Sequence, residues 1–303
     1  MRIIFPCTAQ VHEARQKKLI GELKRSFTVD IFKPKTKHRA DLETYTILCA
    51  VEFKNFIAGK KYDGALVRAD RLELLPIASL LAYRGIPIIH IEGGADSGAG
   101  VIDTRVRNAI TTLADIHLVT DDNARRRVQG LGMENVFNVG SLDVSFASDV
   151  MKQRPKRLVK EDYILLLHHA IPGEDTETVI SAAKKLGLRL VGVRSNADYA
   201  KPLMQDQYSP EEFISLMHYA KCFVGNSSAL CKESSVLGVP GVLTGHRQDG
   251  RVVGHNVIRV PHVESEIFRA VQLQLYHGRY SRDNVYYRRG TEKEICKLLR
   301  KLL

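Results

Sequence analysis

The segment Val224-Gly-Asn-Ser-Ser-Ala-Leu-Cys-Lys-Glu233 runs on to Gly238-Val-Pro240 and Gly245-His-Arg-Gln-Asp-Gly-Arg251, and its punctuation sets the fold class. An apolar strand at 222–224 meets a turn of small polar residues. A helix over 230–237 carries one acid, Glu233, and a second strand at 241–243 ends in a basic loop. Strand, tight turn, helix and strand in so few residues make a βαβ unit of a parallel sheet. The turn also has a chemical meaning. The first N–H groups of a helix lack partners and lie at the positive end of its dipole, so they favour an anion. Gly225, Asn226, Ser227 and Ser228 form such a turn, and Arg247 and Arg251 can close on the same anion bidentately. The pattern asks for a phosphate. The plain alternative is a helix capped by Ser228.

The same rhythm extends outward. In the second half, strands at 163–167 and 190–193 alternate with helices over 175–186 and 210–219, and a final helix spans 291–302. In the first half, strands fall at 3–5, 29–32, 64–67, 87–91, 116–119 and 136–139. Helices over 13–25, 41–58, 72–83, 103–113 and 122–130 separate them. Continuous apolar strands between helices mean sheets buried on both faces. The charged segment 149–158, with Pro155, interrupts the alternation and sets the expected domain boundary. The fold class is therefore α/β, with two doubly wound Rossmann-like domains, 1–150 and 151–303. Ligands of such sheets sit at the carboxyl ends of the strands, which predicts a cleft between the domains.

Bulk composition narrows the function classes. The chain has 303 residues, 44% of them hydrophobic and 26% charged, as in ordinary globular proteins. No apolar run reaches the roughly 18 residues of a membrane span, so no membrane role is expected. The start, Met1-Arg-Ile-Ile-Phe-Pro6, turns polar too soon for a secretory leader. The five cysteines, Cys7, Cys49, Cys222, Cys231 and Cys296, show no C-x-x-C spacing. That argues against zinc or a disulfide framework and for a cytoplasmic location. The net charge of +11 is spread along the chain with no nucleic-acid-binding motif, so a nucleic-acid partner is not expected.

Polar groups follow the strands where a ligand would lie. Arg68-Ala-Asp-Arg-Leu-Glu73 follows the strand at 64–67, and Glu92-Gly-Gly-Ala-Asp-Ser-Gly98 follows that at 87–91. Asp103 comes next. Neighbouring strand ends bring Asp70, Glu92 and Asp103 together, and crowded carboxylates suit proton transfer because repulsion raises one pKa. The alternatives are that Asp70 and Asp103 cap helices and that Glu92 pairs with Arg71. His168-His169 ends the strand at 163–167, and successive strand residues point to opposite faces, so one histidine reaches the ligand side. The same geometry argues against a metal shared by the two. A structural histidine is the alternative. Asn196-Ala-Asp198 follows the strand at 190–193.

Together these residues resemble the UDP-N-acetylglucosamine 2-epimerase family, above all its hydrolysing branch, which begins sialic-acid-type sugar synthesis. The resemblance rests on Ala69-Asp-Arg-Leu-Glu-Leu-Leu75, Ile88-Ile-His-Ile-Glu-Gly-Gly94, Ser97-Gly98, Ile102-Asp103, Val106-Arg-Asn-Ala-Ile110 and Asn196-Ala-Asp198. It continues through Val224-Gly-Asn-Ser-Ser228, Glu233, Gly238-Val-Pro240, Arg247-Gln-Asp-Gly-Arg251 and Asn256-Val257. The resemblance implies a GT-B fold, a UDP-linked 2-acetamido sugar as substrate, no cofactor or metal, and a homo-oligomer. It implies that Asp70, Glu92 and Asp103 are the catalytic carboxylates, with His169 as the family histidine and His168 as the fallback. It puts Ser227 and Ser228 on the diphosphate, Glu233 on the ribose, Arg247 and Asn196 beside the nucleotide, and Arg71 near the phosphates. The implied reaction removes the C2 proton, expels UDP and hydrates the glycal to free N-acetylmannosamine. Departures gather on the sugar side. Gln10 stands where the family has an arginine, Ala69 replaces a glycine, Ala95 and Thr104 replace acids, and Ala170 replaces a proline. The altered first loop and Thr104 leave a second reading, a non-catalytic nucleotide-sugar-binding protein; a third is a GT-B glycosyltransferase, against which the clustered carboxylates favour proton abstraction.

Overall fold

A computed structural model describes residues 1–8, 10–36, 41–97, 102–193 and 208–303. The chain forms two compact units, Met1–Leu142 with Arg288–Leu303, and Asp143–Tyr287. The strands of the first are β1 (Arg2–Pro6), β2 (Thr28–Phe32), β3 (Gly64–Arg68), β4 (Ile88–Ile91), β5 (Ile116–Val119) and β6 (Val136–Asn138). Its helices are α1 (Gln10–Leu23), α2 (Leu42–Phe56), α3 (Leu74–Tyr83), α4 (Ile102–Leu113) and α5 (Asp122–Gly130). The second unit holds α6 (Leu142–Lys152), β7 (Tyr163–Leu167), α7 (Thr176–Lys184), β8 (Arg189–Gly192), α8 (Pro210–Tyr219) and β9 (Cys222–Gly225). It continues with α9 (Ser228–Cys231), α10 (Glu233–Leu237), β10 (Gly241–Thr244), β11 (Val257–Val260) and α11 (Glu264–His277). The last helix, α12 (Thr291–Leu302), returns to the first unit.

Both sheets are parallel among the described pairs, in the orders β2-β1-β3-β4-β5-β6 and β11-β10-β9-β7-β8. Counted from the first strand of each, the order is 2-1-3-4-5 in both, with one strand more in the first unit. The central strands β3, β4, β7 and β9 are buried along their whole length, which is why they read as mainly apolar runs, broken only by Arg68 and His90. The order reverses between β1 and β3 and between β7 and β9, and a doubly wound sheet opens a crevice at such a switch point.

The elements depart from the sequence reading in four ways. The charged segment 149–158 begins as helix, since α6 runs through Lys152, and the chain leaves the first unit at Leu142. Charge and Pro155 mark where α6 ends, not where the units divide. The expected helix over 230–237 is two short helices, broken at Lys232, whose ψ of −77° departs from the helical value. Strand β11 and helix α11 were not foreseen. Finally, α12 packs with the first unit: Ile295 and Leu299 are fully buried among Ile3, Leu19 and Leu23. Each contributes about 1.5–3 kcal/mol by burial. Thr291 Oγ1 donates to the Val139 carbonyl at 2.9 Å, and Lys18 meets Glu292 at 3.1 Å.

Candidate functional site

In the first unit, Arg68 of β3 lies beside Ile91 of β4, so the residues after them leave the sheet together. Both Ala69 (φ 66°) and Glu92 (φ 69°) are left-handed. Side chains disfavour that region by about 1–2 kcal/mol, and it persists where surrounding bonds over-determine it. Here they do. Ala69 N donates to the Ile91 carbonyl at 2.9 Å, and Glu92 N donates to the Leu118 carbonyl at 2.8 Å. His90, fully buried, donates from Nε2 to the Ala69 carbonyl at 2.9 Å, and its Nδ1 takes the Thr111 hydroxyl at 3.1 Å. Burial drives the His90 pKa down to about 4, so the ring is a neutral strut.

Two of the three carboxylates, Asp70 and Glu92, are matched with arginines. Arg68 Nη2 donates to Glu92 Oε1 at 3.0 Å, with both side chains buried. Arg107, the largest fully buried side chain, reaches from α4 to Asp70 and to the Ala95 carbonyl, tying the two loops together. Asp103 opens α4 four residues before Arg107, on the same helix face. Glu92 thus has Arg68 as its cation, in place of the Arg71 considered from sequence. Arg71 meets Glu73 at 2.5 Å. Asp70 does not cap the next helix, whose N-cap position is Glu73. The mutual repulsion expected among the carboxylates gives way to two acid–arginine pairs. Thr104, where the family pattern has an acid, accepts from the Ser97 backbone N–H at 3.1 Å and fixes that loop.

In the second unit the site lies at the β7/β9 switch point. Gly225 has φ 143°, and a Cβ there would stand 2.0 Å from the Leu167 carbonyl oxygen. Only glycine lets the chain turn so close to β7. Asn226, fully buried, then staples the two strand ends. Its Oδ1 accepts from His169 N at 2.8 Å, and its Nδ2 donates to the His169 carbonyl at 2.9 Å and to His168 Nε2 at 3.1 Å. Its own carbonyl accepts from Arg247 Nη1 at 3.2 Å and Gln248 Nε2 at 3.1 Å. Asn226 therefore serves the local frame and carries the basic loop with it. Arg259 steadies that loop from β11 by donating to the Gln248 carbonyl at 3.1 Å and to the Arg251 carbonyl.

Ser227 is the N-cap of α9, accepting from Ala229 N at 3.3 Å, and Ser228 is half-buried. The cap is thus one residue earlier than the sequence suggested. Because α9 has only four residues, its dipole is small, and the anion argument passes to the local N–H groups, the hydroxyls and Arg247. Burial, then the Arg247 charge, push the His169 pKa down to about 3. His168 is lowered to about 4, chiefly by burial. Both are neutral rings at neutral pH. Glu233 is buried at the start of α10, and Arg247 and Arg251 are half-buried. Asn196 and Asp198 lie outside the described residues.

Sequence reasoning passed over Arg68, His90, Arg107 and Arg259 as site-building residues. A signal existed for Arg107, a cation between Val106 and Ile110 on the buried stripe of α4. A buried cation requires a partner carboxylate.

The geometry can now be set beside known proteins. The chain is 27% identical over 276 residues to the Escherichia coli protein named polysialic acid biosynthesis protein P7, covering 81% of this chain and 70% of that one. It is 29% identical over 239 residues to the Campylobacter jejuni protein named GDP/UDP-N,N'-diacetylbacillosamine 2-epimerase (hydrolyzing), covering 68% and 62%. The match therefore spans about two thirds of these relatives' length. Among solved structures, that of Neisseria meningitidis UDP-GlcNAc 2-epimerase bound to UDP-GlcNAc superposes with a TM-score of 0.79 at 15% identity, covering 99% and 100%. The shared fold is of the GT-B type. A model of the UDP-N-acetylglucosamine 2-epimerase family matches residues 8–300, which takes in both the acid–arginine loops and the Asn226 staple. On that span of sequence, the chain belongs to the UDP-N-acetylglucosamine 2-epimerase family.

Proposed function

We propose that this chain is a hydrolysing nucleotide-sugar 2-epimerase acting on UDP-N-acetylglucosamine or a related UDP-linked 2-acetamido sugar. Family membership supports the reaction class, and one observation carries the reading for this chain. Glu92 stands on left-handed backbone at the end of a central strand, buried, with its carboxylate on Arg68. Such expense is found where a charge must be held in one place.

In the proposed reaction, a carboxylate among Glu92, Asp70 and Asp103 takes the C2 proton. The electron pair forms the C1=C2 double bond as the C1–O bond breaks, and the leaving pair goes to the β-phosphate oxygen of UDP. Ser227, Ser228, Arg71, Arg247 and Arg251 meet that developing charge, where fixed donors lower the barrier most. Neutral His169 donates a hydrogen bond without adding charge. Gly225 and Asn226 give the diphosphate turn its shape, Glu233 takes the ribose hydroxyls, and Asn196 borders the nucleotide. Water then adds across the double bond, its hydroxyl to C1 and a proton to the opposite face of C2, giving the free 2-epimer. We place the reaction in the cytoplasm, in a homo-oligomer.

The test is incubation with UDP-N-acetylglucosamine in deuterated water, read by NMR. We expect release of UDP and N-acetylmannosamine carrying deuterium at C2. Binding of UDP with neither release nor exchange, across several UDP- and GDP-linked acetamido sugars, would leave a binding protein and overturn the proposal. Transfer to an acceptor with the C2 proton retained would leave a glycosyltransferase.

A further inference from the structure

Beneath the basic loop of the second unit, three side chains from three segments converge. His168 ends β7, Glu174 precedes α7, and His262 lies between β11 and α11. One donor atom from each falls within 4.8 Å of the others, and among the described residues this is the group so placed. The rings of His168 and His262 stack with centroids 5.3 Å apart.

The three are more than neighbours. Both ring nitrogens of His262 and Glu174 Oε2 are buried without a hydrogen-bond partner among the described residues. The His262 side chain is 8% exposed, and Glu174 is 6% exposed. An unsatisfied buried polar atom costs about 1–3 kcal/mol, and more for a charged group. One nitrogen of His262 and Glu174 Oε2, left without partners beside each other, call for a common guest. Glu174 is also firmly placed. Its Oε1 accepts from His246 N at 2.7 Å, and a Cβ on Gly245 would stand 2.2 Å from its carboxylate. The loop has closed on this carboxylate as far as its backbone allows.

We propose that His168, Glu174 and His262 bind a divalent transition-metal ion of the zinc class. Two imidazoles and one carboxylate form a donor set that such ions favour, whereas magnesium and calcium take oxygen ligands. Around zinc, tetrahedral donors stand about 3.4 Å apart, so the cluster contracts onto the ion. His168 contributes by giving up one of its hydrogen bonds, to Thr176 Oγ1 or to Asn226, each 3.1 Å long. Water completes the coordination. Asp175 Oδ2, 3.9 Å from His262 Nε2, is the nearest further carboxylate. The ion's role is positional: it clamps the ends of β7 and β11 to the loop that bears His246 and Arg247. It takes no part in the chemistry proposed above, and its failure and that of the epimerase reading are separate results.

The experiment uses untagged full-length protein stripped of metal by a chelator and dialysed. Cobalt(II) is titrated in, and its visible ligand-field bands are followed. One equivalent should produce the bands, and zinc should displace them and raise the melting temperature. His262→Ala and Glu174→Gln should each weaken binding by about 100-fold, the upper end of what even outer-sphere partners of a metal are worth. Melting of the metal-free variants checks that they fold. If they do not, the wild-type titration decides. Absence of bands at stoichiometric cobalt overturns the site and leaves a buried water as the guest. Wild-type affinity in both folded variants also overturns it, by placing the ion on other histidines.

Discussion

The two units share one strand order and hang different chemistry on it. In the first, the loops after β3 and β4 carry charge: Asp70 against Arg107 and Glu92 against Arg68. Their backbones are left-handed at Ala69 and Glu92. In the second, the residues just past the ends of β7 and β9 are uncharged at neutral pH. His168, His169 and Asn226 hold one another by hydrogen bonds, and the arginine arrives from the loop after β10. One topology thus supports two ways of fixing a site, by strain with paired charge or by a buried amide. The strand ends come from the fold and the chemistry from the loops.

The strongest way to break this division is Glu92→Gln. If the first unit handles protons and the second the nucleotide, turnover falls by about 100- to 10,000-fold, the usual worth of a general base. Affinity for UDP, measured by calorimetry, stays within about tenfold, or ~1.4 kcal/mol. Near-normal turnover would take Glu92 out of the reaction. Next comes Gly225→Ala, which puts a methyl into the Leu167 carbonyl at left-handed φ. It should cost about 3 kcal/mol or more in chemical denaturation, and a small effect would show that the switch point relaxes.

His90 sharpens the comparison through pH. The fold holds it neutral with a pKa of about 4, whereas an ordinary histidine titrates near 6.5. Between these values the unfolded chain binds a proton that the folded chain does not, so stability falls as pH drops through that window. The loss from this one group is about 2 kcal/mol by pH 5. His90→Gln should flatten that part of the stability–pH curve, and an unchanged slope would remove His90 as its source. The smallest effect is expected from Ala69→Gly, which relieves left-handed strain and should raise stability by about 1 kcal/mol. A loss there would mean that the alanine methyl packs better than its backbone suffers.

Much of this was legible in the sequence, for particular reasons. Ile88–Ile91 reads as a central strand because burial on both faces leaves no polar position in it but His90. Asp70 and Glu92 could be placed together because strand ends follow from strand order. Their partners could not, since Arg68 and Arg107 find them across 24 and 37 residues of sequence. Helix α11 was missed although Ile267, Ala270, Val271 and Gln274 form its buried stripe. Its polar ends and the half-buried β11 before it dilute that signal. The apolar stripe of α12 announced that a face would be buried, but nothing local says against which unit. The cluster of His168, Glu174 and His262 is likewise invisible to spacing, because its third member stands 88 residues beyond the second.

The return of α12 has a consequence for how the molecule is made. The second unit is one uninterrupted stretch, 143–287, whereas the first is written in two pieces on either side of it. On the ribosome, domains fold as contiguous units when their residues emerge. The sheet that begins at Arg2 is synthesised first, yet the core cluster of Ile3, Leu19 and Leu23 is not complete until Ile295 and Leu299 arrive. The later-made unit is therefore the first that can finish, and the earlier one waits for the length of a whole domain's translation with the seat of α12 unfilled.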